Sequence, residues 1–90
     1  MVKHEVLIQN RKGLHARASA QIVKIAESFE AETYISYGER RVPAESIMGL
    51  LMLGAGQGSL IMIESEGNEA DKAVQSLVQL IEDKFGEDQW

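Results

Sequence analysis

The chain has 90 residues, no cysteine and a formal net charge of −5 at pH 7, and 44% of its residues are hydrophobic. This composition predicts one folded domain over residues 1–90, and it excludes disulfides and thiolate chemistry. No apolar run approaches the roughly 20 residues of a membrane-spanning helix. We therefore expect a cytoplasmic protein that does not insert into membranes, and its acidic balance argues against nucleic-acid binding.

The first third of the chain predicts a strand followed by a helix. Residues 3–9 alternate in polarity, with Val6 and Ile8 on one side, which is typical of a half-buried strand. From Ala16 onward the apolar positions recur at helical spacing, so we expect an amphipathic helix with Lys24 on its outer face. The apolar stripe of this helix comprises Ala18, Ile22, Ile25, Ala26 and Phe29.

The middle of the chain predicts a hairpin and a short helix. Residues 33–42 hold two runs of strand-forming residues around Gly38, and Pro43 ends the second run. The following run 46–53 is almost wholly apolar, and Ser46 is suited to cap a short helix there. Core packing is the commonest role of such a run. We nevertheless expect only part of it to be buried, and the expected buried residues are Leu50 and Leu53.

The last third predicts one strand and one helix. Residues 59–65 alternate, and Asn68 with Asp71 three positions later indicates a helix start. The apolar stripe of this helix comprises Ala70, Ala73, Val74, Leu77, Leu80, Ile81 and Phe85. Strands alternate with helices along the whole chain. This order predicts an α+β fold, with the helices on one face of a mostly antiparallel sheet.

A candidate site lies in the segment GLHARASA, residues 13–20, where a histidine precedes the first helix. With His15 as the N-cap, the first backbone N–H groups of the helix lack helical partners, and the helix dipole favours an anion at the same place. These donors belong to Ala16, Arg17 and Ala18. A phosphoryl group on the His15 ring would meet them, and Arg17 would add charge-assisted hydrogen bonds. Gly13 permits the tight turn that presents the ring. On spacing alone, a solvated surface histidine is the commoner interpretation.

Two segments in register resemble the HPr family, the histidine-containing phosphocarriers of the bacterial phosphotransferase system. GLHARASA is similar to the active-site segment of that family, and ESIMGLLMLGAGQGSLIMIE, residues 45–64, is similar to its regulatory-serine region. The resemblance extends over nearly the whole chain. It implies a βαββαβα open-faced sandwich, in which a four-stranded antiparallel sheet carries three helices on one face.

The resemblance also implies a role for each matching residue. His15 matches the histidine that enzyme I phosphorylates on Nδ1 at the expense of phosphoenolpyruvate, and Arg17 matches the arginine that steadies the phosphoryl group. An EIIA domain would then receive this group, so the protein would be a carrier rather than a stand-alone enzyme. Ser46 matches the serine that an HPr kinase/phosphorylase modifies in some bacteria, although helix capping alone also explains a serine there. The residues expected to dock partner proteins are Ile47, Met48, Leu51 and Lys24.

Several alternatives remain open at this stage. Ala18 stands where the family commonly has proline. This feature resembles some proteobacterial HPr proteins and also the nitrogen-type branch, NPr, which would make the chain a regulatory phosphocarrier. A ligand- or RNA-binding module would need aromatic residues on the exposed sheet face, where Tyr34 and Tyr37 have an unfavourable odd spacing. A metal site at His4 and His15 lacks a third ligand. We expect a monomer without metal or cofactor.

Overall fold

The computed structural model describes residues 1–87, so the predicted domain end at residue 90 lies outside the described part. Its elements, in chain order, are β1 (Val2–Leu7), α1 (Ala16–Glu27), β2 (Glu32–Tyr37), β3 (Arg40–Pro43), α2 (Ile47–Met52), β4 (Leu60–Glu66), α3 (Ala70–Glu82) and a short 3₁₀ turn (Lys84–Gly86). The strands form one antiparallel sheet in the order β1-β4-β2-β3, with the three helices on one face. The predicted α+β open-faced sandwich is therefore confirmed. Within residues 1–87, no helix has the length and apolar character needed to cross a membrane.

The two faces of the sheet differ in polarity, as the alternating sequence predicts. Val6 lies opposite Ile61 in the antiparallel register, and both are buried beneath the helices. Leu7 lies opposite Leu60 on the other face, where both are exposed. Because successive residues of a strand point to opposite faces, the same strands supply the core and leave one face of the sheet to solvent.

Helices α1 and α2 follow the predicted patterns with one correction. Leu50 and Leu53 are buried. Phe29, however, is not part of α1, because the helix ends at Glu27 and the Ser28 hydroxyl donates to the Ile25 carbonyl at 2.6 Å. Phe29 is half-buried in the loop beyond. There it lines an open pocket with Gln75 and Gln79 of α3, so its helical spacing does not mark the end of α1.

The predicted start of α3 at Asn68 is wrong. The helix begins at Ala70 after Glu69, whose side chain makes no capping bond. Asn68 instead donates through Nδ2 to Glu30 Oε1 at 3.4 Å, and Glu69 Oε1 accepts from the Glu30 N–H at 2.8 Å. Both polar side chains thus bind the loop before β2 rather than capping their own helix, which a local capping pattern does not reveal.

The chain beyond α3 turns sharply and buries Phe85. The expected stripe placed Phe85 on α3, but the helix ends at Glu82 and Phe85 enters the core from the turn that follows. Lys84 and Phe85 have φ of 55° and 58°, and Gly86 has 70°. Left-handed backbone costs an L-residue about 1–2 kcal/mol, whereas burying a phenylalanine side chain contributes about 1.5–3 kcal/mol. Core packing of Phe85 therefore offsets much of the strain of a turn that brings residue 87 to the start of α1.

Candidate functional site at the start of helix α1

The loop that presents the histidine is fixed against the segment after α2. Leu14 donates its N–H to the Ala55 carbonyl at 3.0 Å, and its side chain is buried. Gly13 has φ +61°, and a Cβ there would lie 2.5 Å from the Ala55 oxygen. The predicted tight turn at Gly13 is confirmed, and the position requires glycine for two reasons: its left-handed backbone and its close approach to another backbone segment.

His15 is the N-cap of α1, as predicted, and its own ring makes the capping hydrogen bond. Nδ1 accepts a hydrogen bond from the Arg17 N–H at 3.2 Å, and the His15 carbonyl accepts from the Ser19 N–H at 2.9 Å. The opposite ring nitrogen, Nε2, lies 2.5 Å from Glu87 Oε2. The side chain of His15 is 25% exposed. One edge of the ring therefore faces the helix, and the other edge is held by a carboxylate from the end of the described chain.

These two contacts assign the tautomer of the neutral ring. A carboxylate oxygen only accepts, so the hydrogen of the His15–Glu87 bond belongs to Nε2. Nδ1 accepts from a backbone N–H and therefore carries the lone pair. The nitrogen with the lone pair thus lies at the positive end of α1, beside the N–H group of Arg17.

Asn10, in the loop that precedes His15, also belongs to this hydrogen-bond network. It is 2% exposed, and its Nδ2 donates to the Gly13 carbonyl at 2.9 Å and to Glu87 Oε1 at 3.1 Å. Both partners are acceptors only, so the orientation of the amide follows from the network. Each oxygen of the Glu87 carboxylate consequently has a donor of its own.

The environment of Glu87 favours its ionised form. Burial, the largest influence, raises the pKa of this carboxyl, since its side chain is only 10% exposed. Hydrogen bonds from His15 and Asn10, together with electrostatic attraction to His15 and Arg17, outweigh burial. The pKa of Glu87 consequently lies below its usual value of 4.5, and the group is a carboxylate at neutral pH.

A cavity of about 420 Å³ opens beside the His15 ring. The residues that line it are Arg11, Lys12, His15, Ala16, Arg17, Gly86 and Glu87. Three basic residues thus line the cavity together with His15, and Arg17 and Ala16 are exposed. Ala18 has a fully buried side chain and does not line the cavity, so backbone donation from Ala18 to a phosphoryl group stays a prediction.

The remaining predicted residues form a separate surface. Ser46 caps α2, with its Oγ accepting from the Gly49 N–H at 3.0 Å. The apolar surface of α2 consists of its exposed residues Ile47, Met48, Leu51 and Met52. The first three were predicted to be exposed, and Met52 was not. Lys24 is exposed in the last turn of α1, away from the helix start that His15 caps.

Fold and site together define a small open-faced α+β domain with one helix-capping histidine. The family model described as "PTS HPr component phosphorylation site" matches residues 2–83. The chain is 41% identical to phosphocarrier protein HPr of Xylella fastidiosa over 98% of its length and 99% of the relative. It is 40% identical to phosphocarrier protein NPr of Shewanella violacea, covering 96% of this chain and 94% of that one. The crystal structure of HPr-C-His from Thermoanaerobacter tengcongensis superposes with a TM-score of 0.94 at 39% identity, covering 98% and 99% of the two chains. The chain therefore belongs to the HPr family.

The two residues that sequence reasoning missed are Asn10 and Glu87. They lie 77 positions apart, and Glu87 is 72 positions from His15. Glu87 belongs to an acidic stretch that reads as a solvated tail. The only local signal is the buried aromatic followed by glycine at Phe85-Gly86, which indicates that the chain turns before Glu87.

Proposed function

We propose that this chain carries a phosphoryl group on Nδ1 of His15, which it accepts from phospho-enzyme I and passes to an EIIA domain of the sugar phosphotransferase system. Phosphoenolpyruvate is the ultimate source of the group, and the transfer takes place in the cytoplasm. The observation that carries this proposal is the Nδ1 lone pair at the N-terminus of α1, with Arg17 at its side. Membership of the HPr family supports the same role.

The geometry suits acceptance with little rearrangement. Nδ1 attacks phosphorus, and its bond to phosphorus forms as the bond to the donor enzyme breaks. The Arg17 N–H loses its acceptor at that moment and is free to donate to a phosphoryl oxygen, alongside the N–H of Ala16. The Arg17 guanidinium adds charge-assisted hydrogen bonds from the open side of the cavity. Positioning and fixed positive charge therefore supply most of the catalysis.

A regulatory phosphocarrier of the nitrogen type is the second candidate function. The identity to the NPr relative, 40%, is nearly the same as that to the HPr relative, 41%. Ala18 also replaces the proline that the family commonly has. Both functions use the same His15 chemistry and differ only in the protein that receives the phosphoryl group.

Partner docking and regulation are assigned to α2 and Lys24. Partners would pack on the apolar surface of α2, where methionine adapts to different shapes, and Lys24 would attract an acidic partner. Phosphorylation of Ser46 by a kinase adds about two negative charges at the edge of this surface and would weaken docking. The carrier is proposed to act as a monomer.

Labelling with phosphoenolpyruvate tests the carrier function. In the presence of a cognate enzyme I, the chain should acquire one acid-labile phosphoryl group. His15→Ala should abolish the label, and His4→Ala should keep it. A label that persists in His15→Ala would contradict the proposal. Offering the phosphorylated chain to a sugar-type and a nitrogen-type EIIA domain then separates the two functions by which acceptor discharges it.

A matched pair of variants tests docking. Met48 on α2 and Leu60 on the open sheet face are 67% and 52% exposed, so either tolerates a charged side chain without loss of core packing. Met48→Glu should slow phosphorylation by enzyme I about fivefold, the equivalent of about 1 kcal/mol of lost apolar contact, and Leu60→Glu should not. Equal rates in the two variants would place docking elsewhere.

A further inference from the structure

We propose that Glu87 is a positioning residue for His15, and that Asn10, Glu87 and His15 act as a hydrogen-bonded triad. The triad fixes the Nε2–H tautomer of the ring and stabilises the positive charge that the ring gains when Nδ1 accepts a phosphoryl group. The reaction part of this inference rests on the proposed function. The tautomer part concerns the unphosphorylated chain alone.

The triad is directional along its whole length. Asn10 donates to both the Gly13 carbonyl and Glu87 Oε1, and His15 Nε2 donates to Glu87 Oε2. The sequence of bonds continues through Nδ1 to the Arg17 N–H. It therefore runs from the backbone of the loop to the backbone of α1. Asn10 and Glu87 are largely screened from water, so these bonds differ from exposed ion pairs, which contribute little.

The turn after α3 holds the carboxylate in place before the reaction. Phe85 anchors this turn in the core, and the backbone closes it through Gly86 N–H to the Asp83 carbonyl at 3.0 Å and Glu87 N–H to the Lys84 carbonyl at 2.9 Å. Three successive residues have positive φ. A backbone with positive φ persists only where surrounding contacts hold it in place. Here those contacts are the core packing of Phe85 on one side and the triad on the other.

The chemistry explains why a carboxylate suits this position. When the neutral ring attacks through Nδ1, the nitrogen–phosphorus bond forms and the donor enzyme keeps the electron pair of the bond that breaks. Nε2 retains its proton, so the phosphorylated ring carries a positive charge. The Glu87 carboxylate faces that charge without accepting the proton, as the carboxylate of a serine protease triad faces its imidazolium. Return of the phosphoryl group reverses the same steps.

Two substitutions separate this role from packing. In Glu87→Gln, the amide oxygen is needed to accept from Asn10, so the amide nitrogen faces His15 and donates to Nε2. The ring proton is then driven to Nδ1, the atom that must attack. Glu87→Ala removes the acceptor but offers no competing donor. The nearly isosteric Gln should therefore be more harmful than Ala, the reverse of what a packing role predicts.

The experiment combines nitrogen-15 NMR of histidine-labelled protein with initial rates of phosphorylation by enzyme I. The unmodified chain should give the Nε2–H pattern at His15, Glu87→Gln should move it toward Nδ1–H, and Glu87→Ala should give a mixture. Rates should fall roughly tenfold in Glu87→Gln and less in Glu87→Ala, as expected for loss of a hydrogen bond to a charged group. Asp83→Asn is the matched control: it removes a carboxylate that makes no capping bond from the same turn, and it should change neither result.

The possible outcomes separate the two proposals. A wild-type tautomer and a wild-type rate in Glu87→Gln would overturn the triad while leaving the carrier function intact. Absence of any label on the unmodified chain would overturn the carrier function, and the NMR spectra would still decide the tautomer claim. Amide spectra of each variant verify the fold. If both variants keep a native amide spectrum and the rate of phosphorylation falls less in Glu87→Gln than in Glu87→Ala, Glu87 serves only packing.

Discussion

Two helices in the described part of the chain begin with a side-chain cap, and a distant carboxylate binds only one of the two capping side chains. Ser46 caps α2 through a hydroxyl that accepts from the Gly49 N–H, a bond between near neighbours in the chain. His15 caps α1 through Nδ1 in the same way, but a carboxylate 72 positions away holds the opposite edge of its ring. The Ser46 cap stabilises a helix end, whereas the contacts of the His15 cap also fix the orientation of an imidazole ring.

The residues that surround the two caps also differ in charge and polarity. Basic side chains and a cavity of about 420 Å³ border His15, so an anion bound there meets positive charge and backbone donors. The residues that follow Ser46 are instead exposed apolar side chains on a six-residue helix. We infer that long-range supports distinguish the proposed phosphoryl site at α1 from the start of α2, where the cap has no such supports and serves stability.

The largest expected effect comes from the turn that supports His15. Gly13→Ala should lower the free energy of unfolding by about 2–4 kcal/mol, because the new Cβ would meet the Ala55 carbonyl at 2.5 Å on a left-handed backbone. Gly38→Ala is the control, since Gly38 has the same φ of +61° but a Cβ built there has no neighbouring atom within 4 Å. This substitution should lower the free energy of unfolding by about 1–2 kcal/mol. Urea denaturation measures both. Equal losses would show that the contact with Ala55 is unimportant.

The next effect concerns the charge beside Nδ1. Arg17→Ala should reduce the rate of phosphorylation roughly tenfold, because charge-assisted hydrogen bonds to the phosphoryl oxygens are lost. Arg17→Lys should recover only part of the rate, since an ammonium group lacks the planar fork of guanidinium. The unfolding free energy should stay unchanged in both variants, because Arg17 is exposed. Full recovery of the phosphorylation rate in Arg17→Lys would show that Arg17 contributes only its positive charge.

A smaller effect is expected at the second cap. Ser46→Ala should lower the free energy of unfolding by about 1 kcal/mol, because the Gly49 N–H loses its side-chain acceptor. Phosphorylation of His15 should proceed at the wild-type rate in this variant, which thermal denaturation and the labelling assay measure together. A strong loss of labelling would mean that the two helix starts are coupled and would break the contrast between them.

The smallest effect is a dependence of stability on pH. The pKa of Glu87 lies below its usual value of 4.5 in the folded chain, so its ionised form contributes stability above pH 4.5, and this contribution is lost as pH falls through the folded-state value. The difference in unfolding free energy between the wild type and Glu87→Gln should therefore be largest near neutral pH and shrink in acid. A difference that stays constant to about pH 3 would argue against the interactions assigned to Glu87.

Local chemistry made one part of this site predictable. The N-caps at His15 and Ser46 follow from side chains two or three positions from their partners, and Gly13 follows from the turn that precedes α1. The alternation of apolar and polar residues along the strands likewise predicted which strand residues are buried in the core. Each of these predictions depends on interactions within one turn or one strand.

Predictions failed where a side chain binds a distant segment. Asn68 was expected to start α3, but its partner is Glu30, 38 positions away. Phe85 was identified as a core residue, yet it arrives through a left-handed turn that no helical spacing describes. Glu87 and Asn10 were missed because their contact exists only after the whole sheet and α3 have assembled. The proposed reactive atom could thus be predicted from the sequence, and the hydrogen-bond network that orients its ring could not.

The central claim is that Nδ1 of His15, at the start of α1, is the atom that carries phosphate. Phosphorus-31 and nitrogen-15 NMR of histidine-labelled protein, phosphorylated by enzyme I and phosphoenolpyruvate, tests it most directly. The account predicts one phosphoryl group, bonded to Nδ1 of His15, with the proton retained on Nε2. Phosphate on Nε2, on His4 or on any residue other than histidine would contradict it.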